Sequence, residues 1–401
     1  MKYTDPLAWS GQFAHCSLPL RLDSYRGCGF SCSYCFARTR GGNLPGRRIA
    51  PAPPDAVARH FKLADRGSPS VIAQALRHRI PVHFGGMSDP FQPSETRHRI
   101  ALSFLKDLSA RQYPTIISTK GDLAILPEYL AELLANPNII VQVSLVSVQD
   151  HEAARVEPNA TPPSRLLRMM ERLSHAGVIV TCRLQPLIHE IVGNIRNYVT
   201  MVASTGARHI SVEHLKVPVE HSSNIVVENQ RTWYKGNGTY RDGREHILSA
   251  ELKLPSLLLA REECHHAGVS FGCADNEFQY LSDSAACCSG ADLFPGFENF
   301  YKYQIGFAVR KSRGKDIVLT SIKDEWRPHG SIDRYLNSKT RLSRHGTRGT
   351  IEEHIRYRWN SSSAPGSPLS YAGVRATDRL STDGNRIYVW EKSSLSKLVS
   401  V

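Results

Sequence analysis

The sequence has no run of about 18 apolar residues, so no membrane-spanning helix is expected. No internal repeat is found, which sets aside repeat architectures. The opening stretch, MKYTDPLAWSGQFAHC, lacks a continuous apolar core and does not read as a secretory signal, so a cytoplasmic location is expected. Cysteine is sparse and uneven. There are nine, none between Cys35 and Cys182, and an odd number with no export signal argues against a disulfide framework. Clustered cysteines in such a chain read as metal ligands or catalytic thiols.

What is present is ordinary globular material with a basic excess. Of 401 residues, 41% are hydrophobic, 22% charged and 8% aromatic, enough for a large core. The formal charge of +13 favours anionic partners such as DNA, RNA or nucleotides. From residue 17 to 218, short β-branched runs alternate with helical periodicity. Strands are expected at 17–25, 81–89, 113–122, 139–147, 178–188 and 209–217. Helices are expected at 55–65, 70–79, 94–111, 126–135, 163–176 and 190–205. This alternation implies an α/β fold with a parallel sheet, barrel or doubly wound, whose ligands sit at the carboxyl ends of the strands. Four divisions follow: an N-terminal segment 1–16, the alternating region 17–218, an insertion with a helix and a second cysteine region 219–300, and a basic extension 301–401.

Residues 28–38, CGFSCSYCFAR, place Cys28, Cys32 and Cys35 in the spacing C-x3-C-x2-C directly after the first expected strand. Three thiolates can hold three corners of a [4Fe–4S] cube and leave one iron open. Gly27 and Gly29 give the loop freedom to wrap such a group. Zinc is the rival. Structural zinc takes four ligands, often as two pairs, and no second C-x2-C stands elsewhere, although His15 or Cys16 could supply a fourth.

The loop resembles the radical S-adenosylmethionine superfamily. The aromatic Tyr34 before the last cysteine is part of that likeness. Together with SDPFQPSE (88–95) and STKGDL (118–123), the sequence is similar to the spore photoproduct lyase-like branch over roughly residues 20–190. The resemblance implies a partial (β/α)6 TIM-like barrel and a [4Fe–4S] cluster on Cys28, Cys32 and Cys35. It implies reductive cleavage of S-adenosylmethionine to a 5′-deoxyadenosyl radical that abstracts hydrogen from a substrate, and a one-electron donor of the flavodoxin or ferredoxin type. It makes Tyr34 the candidate catalytic residue, and Ser88 and Lys120 holders of the methionyl carboxylate. Gly85 and Gly86 become points of close backbone approach, and Ser144 and Arg183 contacts to ribose and carboxylate. Two departures set the chain apart from the lyase: Gly86 stands where the lyase has its hydrogen-returning cysteine, and Phe36 stands where it has a second tyrosine.

Beyond the barrel, Cys273, Cys287 and Cys288 fall within sixteen residues and form a candidate second Fe–S or zinc site. That keeps a peptide- or protein-modifying enzyme with an auxiliary cluster as an alternative. A non-catalytic, metal-bearing nucleic-acid-binding protein is the alternative of another class. From Arg334 to Arg358 there are seven Lys or Arg, interleaved with Tyr335 and Tyr357. Basic groups contact phosphates and aromatics stack on bases, so nucleic acid or a nucleotide is the expected substrate class.

Overall fold

The computed structural model of the chain describes residues 3–9, 18–38, 48–220, 222–237, 239–242, 245–284, 288–296, 304–312, 314–323, 351–363 and 366–391. His15, Cys16, Cys287 and the basic run 334–349 lie outside the described residues. Among those described, no helix is long and apolar enough to cross a membrane.

The fold is mixed α/β around one eight-stranded, mostly parallel sheet. Its strands are β1 (Leu7–Trp9), β2 (Leu20–Leu22), β3 (Val82–Phe84), β4 (Thr115–Thr119), β5 (Ile139–Ser144), β6 (Ile179–Leu187), β7 (His209–His214) and β8 (Ser270–Cys273), hydrogen-bonded in that order. From β3 to β7 every pairing is parallel. The order has two ends, as a partial barrel requires. All six expected strands are present, and β1 and β8 are added.

Helices return the chain between strands where the 3.6-residue period was readable. The helix Pro163–His175 begins on two prolines, which suit a first turn, and buries Leu166, Met169, Met170 and Leu173 on one face. It packs against β6 and stops before Gly177, whose φ is +90°. Two expected helices are broken. The run 94–111 is a short helix Glu95–His98 and a second helix Ile100–Ser109, joined by Arg99 at φ +52°. The buried Glu95 carboxylate accepts the N–H groups of Ala101 and Leu102, each at 2.9 Å, and so starts the second helix afresh. The run 190–205 is split at Gly193, φ +69°, and the helix Ile195–Ser204 restarts under an Asn194 cap.

The two faces of the sheet differ. Phe84, Ile117, Val141, Val143, Leu184 and Val212 are at most 1% exposed and form the apolar face, each such side chain contributing about 1.5–3 kcal/mol by burial. The opposite face reads His83, Ser118, Gln142, Thr181, Arg183 and Ser211 across the same strands, closed at its N-terminal end by the buried Ile116 and Ile140. A parallel sheet sandwiched between helices carries apolar residues on both faces. The polar face here is the inner wall of the barrel.

By its internal contacts the chain divides into two compact units. One comprises Met1–Ala8, Arg21–His60 and Val82–Phe271; the other comprises Trp9–Leu20, Phe61–Pro81 and Gly272–Val401. In the first unit, Val217–Pro218, Tyr240–Asp242 and Glu245–Ile247 build a small three-stranded sheet, accompanied by the helix Ile225–Gly236. In the second, an antiparallel hairpin of Val374–Leu380 and Arg386–Trp390 carries Tyr388 and Trp390 into an aromatic cluster with Trp359, Tyr280 and Tyr371.

Candidate active site

The cysteine loop follows β2 and is stitched to the turn after β3 by side chains of both segments. Gln92, fully buried, accepts the Gly29 N–H at 2.8 Å and donates to the Gly27 carbonyl at 3.0 Å. Asp23 accepts the N–H groups of Met87 at 2.6 Å and Ser88 at 3.1 Å, and pairs with Arg21 at 2.9 Å. Burial raises the Asp23 carboxyl, while Arg21 and the two amides pull it back. Ser88 donates its hydroxyl to the Tyr25 carbonyl at 2.6 Å. Gly27 takes φ +92° at the entry to the loop. On the far side, Ser33 donates its N–H to the Val156 carbonyl at 2.9 Å.

All three thiols are pushed up, in each case first by burial; Cys28 rises to about 12, with Asp89 the next cause. Against that, backbone N–H groups of Asp89 and Phe30 reach Cys28, and those of Ala37 and Arg38 reach Cys35. Buried thiols met by amide donors suit thiolates that surrender their protons to a metal, since the donors stabilise sulfur charge and the metal removes the burial penalty. Among the described residues no group of three or more His, Cys, Asp or Glu could hold a single metal ion.

Lys120, just past β4, forms an ion pair with Glu157 at 2.7 Å, its side chain 13% exposed and that of Glu157 4%. Tyr34 donates its hydroxyl to the same Glu157 oxygen, and the Lys120 ammonium lies 5.8 Å from the centre of the Tyr34 ring. Burial lowers the Lys120 ammonium but Glu157 outweighs it, leaving it above its ordinary range. The ammonium also reaches the Ser144 carbonyl at 3.4 Å. Asp89 anchors the same corner. It accepts the Lys120 N–H at 2.6 Å, the Thr119 hydroxyl at 2.8 Å and the Phe91 N–H at 2.9 Å. Burial raises its carboxyl to about 6.

Deeper on the inner face a second network runs across the strands. His83 and Ser118 meet at 2.7 Å, Ser118 contacts Gln142 at 3.1 Å, and Arg183 donates to Ser118 at 3.2 Å. Arg183 also donates to Gln185 at 2.9 Å, and Gln185 donates to Ser211 at 3.0 Å. Gly85, at φ +100°, passes so close to β4 that an added Cβ would lie 2.5 Å from the Ser118 carbonyl oxygen, whereas one on Gly86 would meet the Arg21 side chain at 2.4 Å.

Thus Cys28, Cys32, Cys35, Tyr34, Ser88, Lys120, Ser144 and Arg183 all lie on the loop, the strands or the strand ends of one unit. Sequence reasoning missed Asp23, Gln92, Glu157 and His83. Gln92 stood inside the quoted stretch 88–95, but nothing marked its side chain as a clamp. Glu157 is 123 residues from Tyr34, and no local pattern joins them. The second cysteine set is only partly described. Cys273 donates its thiol toward the Asp275 carbonyl at 3.8 Å, and Cys288 is half-buried.

No family model matches the chain. Two uncharacterized proteins, Rv2578c of Mycobacterium tuberculosis and Mb2609c of Mycobacterium bovis, are each 27% identical over 212 residues. Those matches cover 49% of this chain and 59% of the relative, so the chain spans less than two thirds of the length of these curated relatives. Spore photoproduct lyase with bound AdoMet and dinucleoside spore photoproduct is a similar solved structure at 16% identity, covering 64% of this chain and 76% of that one, with a TM-score of 0.47. Streptococcus suis SuiB bound to S-adenosylmethionine is 15% identical, covering 64% and 51%, with a TM-score of 0.41. TsrM from Kitasatospora setae is 12% identical, covering 63% and 48%, with a TM-score of 0.39. It is a radical S-adenosylmethionine methyltransferase.

Proposed function

We propose that the chain is a radical S-adenosylmethionine enzyme acting on nucleic acid or a nucleotide. The observation that carries this reading is the cysteine loop itself. Three thiols, Cys32 buried and Cys28 and Cys35 half-buried with amide donors on the latter two, sit at the carboxyl edge of parallel strands whose inner face is polar. Cys28, Cys32 and Cys35 would hold a [4Fe–4S] cluster. The chemistry supplied by that cluster, when bound with S-adenosylmethionine, is one-electron reductive cleavage to a 5′-deoxyadenosyl radical that takes hydrogen from the substrate.

The chain's own residues bind and orient. Lys120 spends one of its three donors on Glu157, and its ammonium suits the methionyl carboxylate. The Ser88 hydroxyl is committed as a donor to Tyr25, so its oxygen is left to accept from the amino end of the methionyl group. Tyr34 acts as a positioning residue, fixing Glu157 and through it Lys120. Gly85 and Gly86 are required by packing within the protein, against the Ser118 carbonyl and the Arg21 side chain, and Ser144 lies beside Lys120. The basic excess supports a nucleic-acid or nucleotide substrate. A flavodoxin- or ferredoxin-type donor would supply the electron.

The test is iron content after anaerobic reconstitution, and 5′-deoxyadenosine formed with dithionite and S-adenosylmethionine, in the wild type and in Cys32→Ala. About four irons per chain, with nucleoside that vanishes in the variant, supports the proposal. Bound zinc in place of iron, or no nucleoside from the iron-loaded wild type, overturns it.

A further inference from the structure

Arg183 is the one inner-face cation whose charge the described residues leave uncompensated. Its partners among the described residues are neutral: the Gln185 side-chain oxygen at 2.9 Å and the Ser118 hydroxyl at 3.2 Å. No carboxylate among the described residues pairs with it. Arg21 has Asp23, Lys120 has Glu157, and Glu213, on the same face of β7, is taken by Lys216 at 2.6 Å. A guanidinium drawn into a protein wall normally meets an anion, because neutral partners do not replace the solvation of its charge.

The surroundings are arranged for such an anion. Gln185, itself held by Ser211 at 3.0 Å, fixes one edge of the guanidinium plane. Ser118 accepts one N–H from the remaining terminal nitrogen and also meets the imidazole of His83. Burial, then Arg183 and Arg21, hold His83 down to about 3, so its ring is neutral and adds no charge beside Arg183. By strand register, Ser118 lies two residues before Lys120 on the same face, so this layer is one step deeper than the corner where Lys120 meets Tyr34 of the cysteine loop.

We propose that Arg183 binds a phosphate of the substrate inside the barrel, one layer beneath the cysteine loop, with Ser118 and His83 as neutral polar partners. Arginine's planar fork suits two phosphate oxygens, and among the described residues the nearest carboxylate on this face, Glu213, is already paired with Lys216. The inference rests on the reading of a nucleotide-type substrate and assigns its anchoring group. It differs from the expectation that Arg183 contacts the cofactor's carboxylate.

The experiment measures binding of thymidine monophosphate and of thymidine to iron-loaded protein, without reductant, in the wild type, Arg183→Met and Arg183→Lys. In the wild type the phosphate improves affinity by roughly 10- to 100-fold, the range of hydrogen bonds to a charged group. Arg183→Met brings that ratio near one, and Arg183→Lys, which keeps the charge without the fork, leaves an intermediate value. A wild type with no phosphate preference, or an Arg183→Met protein that keeps it, overturns the proposal. So does competition by S-adenosylmethionine for the phosphate together with a matching loss of its affinity in Arg183→Met, which would assign the arginine to the cofactor's carboxylate. Should Arg183→Met fail to fold, the wild-type ratio and Arg183→Lys decide alone. The ratio needs no turnover. A phosphate preference without 5′-deoxyadenosine formation would remove the proposed reaction and leave the anion site, and nucleoside formation without the preference would do the reverse.

Discussion

Replacing Gln92 by alanine cuts both bonds that hold the backbone around Cys28: the one from Gly29 N–H at 2.8 Å and the one to Gly27 C=O at 3.0 Å. The side chain is fully buried, so no water stands ready to take its place. An unpartnered buried polar group costs roughly 1–3 kcal/mol, so two of them cost about 2–6 kcal/mol if the loop stays closed. Because the loop can open toward solvent, the expected loss is the lower part of that range, about 2–3 kcal/mol. In a unit of this size, that lowers the melting midpoint by roughly 4–12 °C. A loop no longer held in shape binds its metal less tightly, so chelator-driven iron loss should accelerate at least about tenfold, the factor that 1.4 kcal/mol represents. Gln92→Glu separates the two bonds. It keeps an oxygen for Gly29 N–H but sets a second oxygen against the Gly27 carbonyl. It should therefore melt between wild type and Gln92→Ala if protonated, and at or below Gln92→Ala if charged. Calorimetry with absorbance-monitored iron release reads both effects. A Gln92→Ala protein that melts and releases iron like the wild type would refute the clamp.

Other substitutions test neighbouring parts of the argument. Glu95 takes hydroxyl bonds from Tyr25 and from Tyr129, the latter at 2.8 Å, besides capping a helix, so Glu95→Ala should lose roughly 3–4 kcal/mol in urea unfolding; a loss under about 1 kcal/mol would contradict its bridging role. Lys120→Met and Glu157→Gln should each destabilise by a few kcal/mol, with a double variant less damaged than the sum by about 1–3 kcal/mol, since each single change strands a buried partner; additivity in the double-mutant cycle would deny the pairing. Gly85→Ala must place a Cβ 2.5 Å from backbone at a positive φ and should cost roughly 2–4 kcal/mol, while Gly86→Ala displaces only the flexible stem of Arg21 and should cost about 1 kcal/mol or less; equal melting points for the two would contradict the geometry.

The alternation of strands and helices was legible because each strand buries one continuous apolar face, and 3.6-residue periodicity marks most of the helices between them. The cysteine loop was legible because all three thiols fall within eight residues. The polar inner wall was readable in principle. From Gln142 to Ser144 in β5 and from Thr181 to Gln185 in β6 every second residue is polar, but the apolar residues between them dominated the pattern. The helix breaks at Arg99 and Gly193 depend on local events, a carboxylate cap and a left-handed glycine, that periodicity does not register. Glu157 was out of reach for a different reason. Its meeting with Lys120 and Tyr34 is created only by the closure of the barrel. In the insertion, the helix Ile225–Gly236 sits within a Gly-rich, polar stretch whose composition marked an insertion but gave no helix at this position.

The stitching of the cysteine loop has a consequence for the order of assembly. The three cysteines are local in sequence, but what shapes their loop is not. Gln92 bonds Gly29 and Gly27 across 63 and 65 residues, and Glu157 bonds Tyr34 across 123. Contacts of that range form only once intervening loops have closed, which places them late in folding. In a zinc finger the metal organises a chain that is unfolded without it. Here the sequence of events is reversed: the strands must pair and the turn after β3 must set before the loop has its shape. Iron would therefore be delivered to a folded chain, its loss would leave the barrel standing, and the same protein could be emptied and refilled.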